Sequence, residues 1–174
     1  MQANDIPTGK DAPDKVNVFV EIPQGGSIKY EVDEETGALF VDRFLYTAMN
    51  YPFNYGFVCG TKGEDDDPLD IMILSSQPVQ AGVILPSQPI GLLEMKDEGG
   101  IDTKIIAVPS AKIDPVFGQI KDVKDLPQVV RDKIKHFFDH MKELEPGKWV
   151  KTGEWKGSKE AREVISTAMK SNKK

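Results

Sequence analysis

Cysteine is almost absent: Cys59 is the only one in 174 residues. A single cysteine excludes an intrachain disulfide and points to a reducing compartment. No apolar run approaches the ~20 residues that a membrane span needs. The polar stretch from Met1 to Pro13 has no apolar segment of the signal-peptide kind. These absences together lead to the expectation of a cytoplasmic protein with no membrane partner. Positive charge is in deficit too, with 22 Lys and Arg against 28 Asp and Glu and a net charge of −6. Nucleic acid binding normally requires a basic face, so no such partner is expected. A single-stranded nucleic-acid module would also need a basic groove with stacking aromatics. The G-x-x-x-x-G-K-[ST] phosphate loop is missing as well, and aromatics make up only 8% of the chain. Both points count against a nucleotide hydrolase.

What is present is an ordinary globular composition, 39% hydrophobic and 29% charged, in a chain long enough to bury a core unaided. The first two-thirds consists of short apolar segments separated by turn signals. Strands are predicted at Val16–Ile22, Ile28–Val32 and Ala38–Leu45, with turns at Gln24-Gly25-Gly26-Ser27 and Asp33-Glu34-Glu35-Thr36-Gly37. Further strands are predicted at Phe57–Cys59, Leu69–Leu74, Ile90–Met95 and Thr103–Val108. Short strands at this spacing suggest a closed or partly closed barrel. Beyond Pro127 the period changes. Leu126, Val130, Ile134, Phe137, Met141 and Leu144 recur at steps of three and four, predicting an amphipathic helix that stops near Pro146-Gly147. A second helix is predicted from Ser158, with Ala161, Val164, Ile165, Ala168 and Met169 on one face and a frayed tail over Lys170–Lys174. The expectation is one α+β domain over residues 1–174, a small barrel covered by two helices.

The chemistry concentrates in Glu64-Asp65-Asp66-Asp67-Pro68-Leu69-Asp70, with five carboxylates in seven residues. A solvated acidic loop is the ordinary reading of such a run. Here Pro68 stiffens the loop, and Asp70 stands at the start of a buried strand, Ile71-Met72-Ile73-Leu74. Crowded carboxylates there have repulsion to relieve, and a hard cation with oxygen ligands, Mg²⁺, relieves it. The calcium EF-hand pattern fails: its Gly and Glu positions, counted from Asp65, hold Asp70 and Ser76. A second acidic pair, Asp97 and Asp102, flanks the predicted hairpin turn Glu98-Gly99-Gly100, and Lys104 follows. Lys29 and Glu31 share a strand face, Arg43 lies on the next strand, and Tyr51 and Tyr55 sit in Asn50-Tyr51-Pro52-Phe53-Asn54-Tyr55-Gly56. Lys, Arg and Tyr are the donors a phosphoryl group needs, and an acidic protein binds phosphate when metal ions invert the local charge.

In order along the chain, Glu21-Ile22-Pro23, Lys29-Tyr30-Glu31, Gly37 to Phe44, Tyr51 to Gly56, Asp65-x-Asp67-Pro68-Leu69-Asp70, Ile120 to Val123, His136-Phe137-Phe138 and Gly147 to Val150 resemble the family I soluble inorganic pyrophosphatases. The resemblance covers nearly the whole chain. It implies a five-stranded OB-like barrel with two flanking helices, and Mg²⁺-dependent hydrolysis of pyrophosphate to two orthophosphates by a metal-activated water. By position it implies Asp65, Asp70, Asp97 and Asp102 as metal ligands and Asp67 as the general base. Lys29, Arg43, Tyr55, Lys104 and Lys142 would bind phosphate oxygens, supported by Glu21, Glu31 and Tyr51. Bacterial members are typically hexamers, so a homo-oligomer is the expectation. Two departures stand out. Asp66 replaces the family's usual Gly, and Asp tolerates φ > 0 better than most residues. Met141 replaces the usual Tyr, and a thioether cannot donate that hydrogen bond. His136 and His140, four apart on a helix, have no third ligand in view and read as helix surface or subunit contact. Cys59 reads as a small strand residue, with no basic partner for a thiolate.

Overall fold

The computed structural model describes residues 3–33 and 35–171, so Met1, Gln2, Glu34 of the expected turn, and residues 172–174 of the expected tail lie outside the described residues. The strands in chain order are β1 (Val16–Ile22), β2 (Ile28–Val32), β3 (Leu39–Phe44), β4 (Asn54–Val58), β5 (Asp70–Ile73), β6 (Ile84–Asp97), β7 (Gly100–Ile101), β8 (Lys104–Pro109) and β9 (Val150–Gly157). The helices are α1 (Gln128–His140) and α2 (Ser158–Ser171). Pairing runs β1-β4-β5-β8-β6, and β6 returns to β1 with Val16 opposite Ser87 and Phe19 opposite Ile84. Five strands thus close into a ring, in keeping with the OB-like α+β expectation. All these pairings are antiparallel except β5 with β8.

Alternation along the strands assigns the two faces of the ring. Val16, Val18, Val20, Val58, Ile71, Ile73, Leu85, Leu92, Ile105 and Ala107 come from all five strands and form one buried cluster, the interior, with Ala161 and Ile165 of α2 packed into it. The intervening residues Ile22, Tyr55, Met72, Leu74, Ile106 and Val108 point outward and are buried by Ile134, Phe137 and Phe138 of α1. Strand β6 holds this together. Its 14 residues pair in succession with β1, β8, β9 and β7.

Several expected elements shift, for identifiable reasons. The strand expected at Ile90–Met95 begins at Ile84, because Pro86 and Pro89 read as breakers. The ladder accommodates Pro89 at an irregularity between Pro89 and Gly91. Strand β9 was not anticipated, since Val-Lys-Thr-Gly-Glu-Trp-Lys-Gly has no apolar alternation and owes its form to β6. Helix α1 ends at His140 rather than near Pro146, and Leu144 lies exposed outside the stripe. The second and third expected strands form a separate hairpin, β2–β3, outside the ring. That hairpin packs Val32 and Leu39 against the stacked rings of Phe19 and Phe57, 5.3 Å apart.

One backbone approach constrains the ring where β1 crosses β4. A methyl group at Gly56 would lie 1.9 Å from the carbonyl oxygen of Phe19. Gly56→Ala is therefore expected to push the strands apart and destabilise the protein by about 3 kcal/mol. Urea unfolding of the two proteins measures this, and equal midpoints would contradict it.

Candidate active site

Strand register brings distant charges together. Asp70 opens β5 and Lys104 opens β8, and the two strands run parallel with Ile71 opposite Ile105. One step back along both strands, Asp70 and Lys104 lie side by side. The Lys104 ammonium donates to Asp70 Oδ2 at 2.5 Å and to Asp102 Oδ1 at 2.7 Å, and sits 5.7 Å from the centre of the Tyr55 ring. Lys104 is only 6% exposed. Burial alone lowers the pKa of an ammonium, but Asp70 and Asp102 outweigh it and hold Lys104 firmly charged. Asp102 is raised, first by its burial and then by Asp70 and Asp97, against the pull of Lys104. One cation serves too many carboxylates.

The expected hairpin is present: β6 and β7 pair with Lys96 opposite Ile101 and Asp97 opposite Gly100. The turn fixes Asp97, whose Oδ1 accepts from the backbone N–H of Gly99 at 2.8 Å while Oδ2 lies 3.3 Å from the Lys142 ammonium. Glu98 meets Lys148 at 2.9 Å, and that hydrogen bond holds its carboxyl down to about 2.

Within the acidic loop the Gly63 N–H donates to the Asp67 carbonyl, and the Asp67 N–H to Asp65 Oδ1 at 3.2 Å. Asp66 adopts φ 72° and is the only non-glycine residue described with positive φ. Its side chain is 83% exposed, 3.0 Å from the Lys62 ammonium. The departure from Gly thus keeps the loop's left-handed turn and turns its charge toward solvent.

Glu21 reaches the site through a bulge in β1, between Val20 opposite Gly56 and Ile22 opposite Tyr55. It accepts the Val32 N–H at 3.1 Å, tying the β2–β3 hairpin to the ring. Burial pushes its carboxyl up to about 8, and the Val32 hydrogen bond only partly opposes this. Tyr51 and Tyr55 are buried with ring centres 5.3 Å apart, and burial raises both phenols. Both remain O–H donors at neutral pH.

Apart from the Lys62–Asp66 and Glu98–Lys148 pairs, these charged and phenolic side chains line one cavity of about 500 Å³. Every residue expected at the site lines it except Arg43. That guanidinium instead contacts Asp42 at 3.0 Å and Glu145 at 3.1 Å. The cavity floor includes Tyr51, Tyr55, Met95, Phe138 and Met141 of the outer cluster and none of the ring interior, so the site lies on the outer wall of the ring beside the end of α1. Met141 contributes apolar floor there, as its side chain permits. The lining carries seven carboxylates (Glu21, Glu31, Asp65, Asp67, Asp70, Asp97, Asp102) against three lysines (Lys29, Lys104, Lys142). Among the described residues, no three such groups stand close enough to hold one ion as placed. The donor set is nonetheless all oxygen and strongly negative, which suits hard divalent cations.

Sequence reasoning missed Glu145 as the partner of Arg43 and Glu98 as the partner of Lys148. Glu145 is 7% exposed and lies against Arg43, yet in sequence it reads only as the residue before a helix-stopping Pro-Gly. His136 and His140 have ring centres 4.5 Å apart, and His140 Nδ1 meets Glu143 at 2.8 Å; among the described residues no metal-ligating group of three includes them. Cys59 is fully buried and its thiol is pushed up to about 11 by burial, which removes it from thiolate chemistry.

A model of the inorganic pyrophosphatase family matches residues 18–173. The chain is 53% identical over 174 residues to the inorganic pyrophosphatase of Aquifex pyrophilus, covering 100% of this chain and 98% of that one. It is 57% identical over 162 residues to the inorganic pyrophosphatase of Sulfolobus acidocaldarius, covering 93% and 94% of the two chains. Among solved structures, the inorganic pyrophosphatase of Thermus thermophilus superposes with a TM-score of 0.96 at 39% identity, covering 100% of both chains.

The raised Glu21 carboxyl has a pH signature. Its folded value near 8 exceeds the 4.5 of the free group, so folding favours the protonated form. That contribution is complete below about pH 4.5 and is lost as pH rises through about 8. In chelator-treated protein, the stability of wild type relative to Glu21→Gln is expected to fall across this window. Denaturant unfolding of both proteins at pH 5, 7 and 9 reads the difference, and a constant gap would contradict it. At Asp66, replacement by Gly relieves the left-handed backbone but frees the unfolded chain. Asp66→Gly is expected to change stability by no more than about 1 kcal/mol and to leave turnover intact, as thermal unfolding and an activity assay would report.

Proposed function

We propose that this chain, which belongs to the inorganic pyrophosphatase family, hydrolyses pyrophosphate to two orthophosphates with Mg²⁺ as its cofactor and a metal-activated water as nucleophile. The observation that carries the reading is the cavity lining of seven carboxylates facing three lysines and two buried phenols. Such a lining repels a naked polyanion and accepts one that arrives with cations.

Asp65, Asp70, Asp97 and Asp102 would hold the ions. When bound, these divalent ions offset the phosphate charge and acidify the attacking water. Asp67, on the stiff loop before Pro68, takes the proton from that water. Tyr55 donates its phenol hydrogen to phosphate, with Tyr51 packed behind it, because burial keeps both rings protonated. Lys29, Lys104 and Lys142 supply positive charge to the phosphate oxygens, and Arg43 joins them from the adjacent strand. Glu31 holds Lys29 from the neighbouring strand position, the two being in direct contact. Glu21, whose carboxyl is raised by burial, accepts the Val32 N–H and fixes the hairpin. The apolar floor of Met95, Phe138 and Met141 excludes water from beneath the substrate and strengthens every charge contact above it. Residues 1–174 act as one domain in this reading, within a cytoplasmic homohexamer that has neither nucleic acid nor membrane as partner. No helix among the described residues is long and apolar enough to cross a membrane.

The test is phosphate release from pyrophosphate, ATP and a phosphate monoester, each with and without Mg²⁺. Release from pyrophosphate that requires Mg²⁺ is expected, and release from ATP but not pyrophosphate overturns the reading. Asp67→Asn is expected to retain the Mg²⁺ dependence while kcat falls by roughly 10²–10⁴. An unchanged kcat removes Asp67 as the base.

A further inference from the structure

Arg43 lies on β3 directly opposite Lys29 on β2, yet Lys29 lines the cavity and Arg43 does not. A run of alternating charges explains where Arg43 is held. Glu31 contacts Lys29, Lys29 lies 3.4 Å from Asp42, Asp42 lies 3.0 Å from Arg43, and Arg43 Nε lies 3.1 Å from Glu145 Oε1. Four of these five groups belong to the β2–β3 hairpin. Glu145 alone comes from elsewhere, the turn between α1 and β9, where its N–H donates to the Lys142 carbonyl and its own carbonyl accepts from Lys148.

That placement spans the site. The hairpin is outside the ring, and its Lys29 lines the cavity, as do Lys142 and Val150, which lie on either side of Glu145 in sequence. Among the described residues, the Arg43–Glu145 contact is the ion pair that joins these two lining segments. A carboxylate that is only 7% exposed is costly unless an opposite charge faces it. The two facing atoms are buried and close, but they are not aligned for an N–H···O hydrogen bond. The guanidinium is thus held by charge, at Nε by Glu145 and at Nη1 by Asp42, while its Nε–H is left without a hydrogen-bond acceptor.

We propose that Glu145 is a positioning residue that holds Arg43 beside the cavity-lining Lys29, from where the guanidinium engages a phosphate group of the substrate. The proposal rests on the pyrophosphate reading of the site. Glu145 touches no reacting atom; it acts through Arg43, and removing its charge leaves the guanidinium held by Asp42 alone, on its own hairpin.

The test is a double-mutant cycle with steady-state kinetics on Mg²⁺–pyrophosphate and thermal unfolding of each protein. Glu145→Gln is expected to raise KM about tenfold, the lower end of what an outer supporting partner contributes, while kcat changes much less. In an Arg43→Ala background the same substitution is expected to leave KM unchanged. A KM unaffected by Glu145→Gln overturns the proposal. So does an equal rise in both backgrounds, which would place Glu145 as support for the Lys142–Lys148 turn instead. If Glu145→Gln fails to fold, Glu145→Asp, which keeps the charge but shortens its reach, is put through the same cycle under the same criteria. Wild-type protein that releases no phosphate from pyrophosphate would mark failure of the underlying reading, a result distinct from either of these.

Discussion

Lys104 is a buried ammonium wedged between Asp70 and Asp102, and the rest of the site depends on that contact. Three ionised groups at the edge of an apolar wall are expensive, and each is tolerable only because the others are fixed. The arrangement still leaves negative charge in excess. Asp97 draws on Lys142, Glu21 takes up a proton, and the acidic loop faces the cavity with Asp65 and Asp67. Under the proposed function, this imbalance suits the cavity to cations and to an anion that travels with them.

The ring exists to hold that charge cluster still. Its parallel pair, β5 and β8, places Asp70 next to Lys104, and the same two strands carry Ile71, Ile73, Ile105 and Ala107 into the interior. Any slip of register by one residue would exchange the charged and apolar faces, so burial of the interior also enforces the site. Strand β6 extends this logic. Beyond its pairing with β8 it continues to Asp97 and turns, so the hairpin that bears Asp97 is rooted in the core. The β2–β3 hairpin is tied differently, by Glu21 and the Phe19–Phe57 stack on one side and by Arg43 with Glu145 on the other.

Much of this was legible in the sequence, and the reasons differ by element. Alternating β-branched residues located β1 and β2 to the residue, and the steps of three and four located α1 and α2. The carboxylates that line the cavity were legible as candidates because acidic residues crowd at Glu64–Asp70 and recur around a Gly-Gly turn. Strand β9 and the first half of β6 escaped because their form comes from partners and not from local preference. Glu145 escaped for a related reason: its role is visible only when a hairpin a hundred residues earlier is folded against it.

By itself, then, the sequence determined which side chains the protein has for its chemistry and which segments extend or coil, since these follow from residue type and local periodicity. It also marked Asp66 as a backbone departure, and φ 72° gives that departure its reason. Only the tertiary structure decided which charges meet. Lys104 between Asp70 and Asp102, Lys142 on Asp97, Glu21 protonated under Val32, and Arg43 drawn out of the cavity to Glu145 are all products of strand register and chain reversal. The physical reason is that electrostatic energy depends on separation and burial, and neither quantity is a property of a residue until the chain has closed around it.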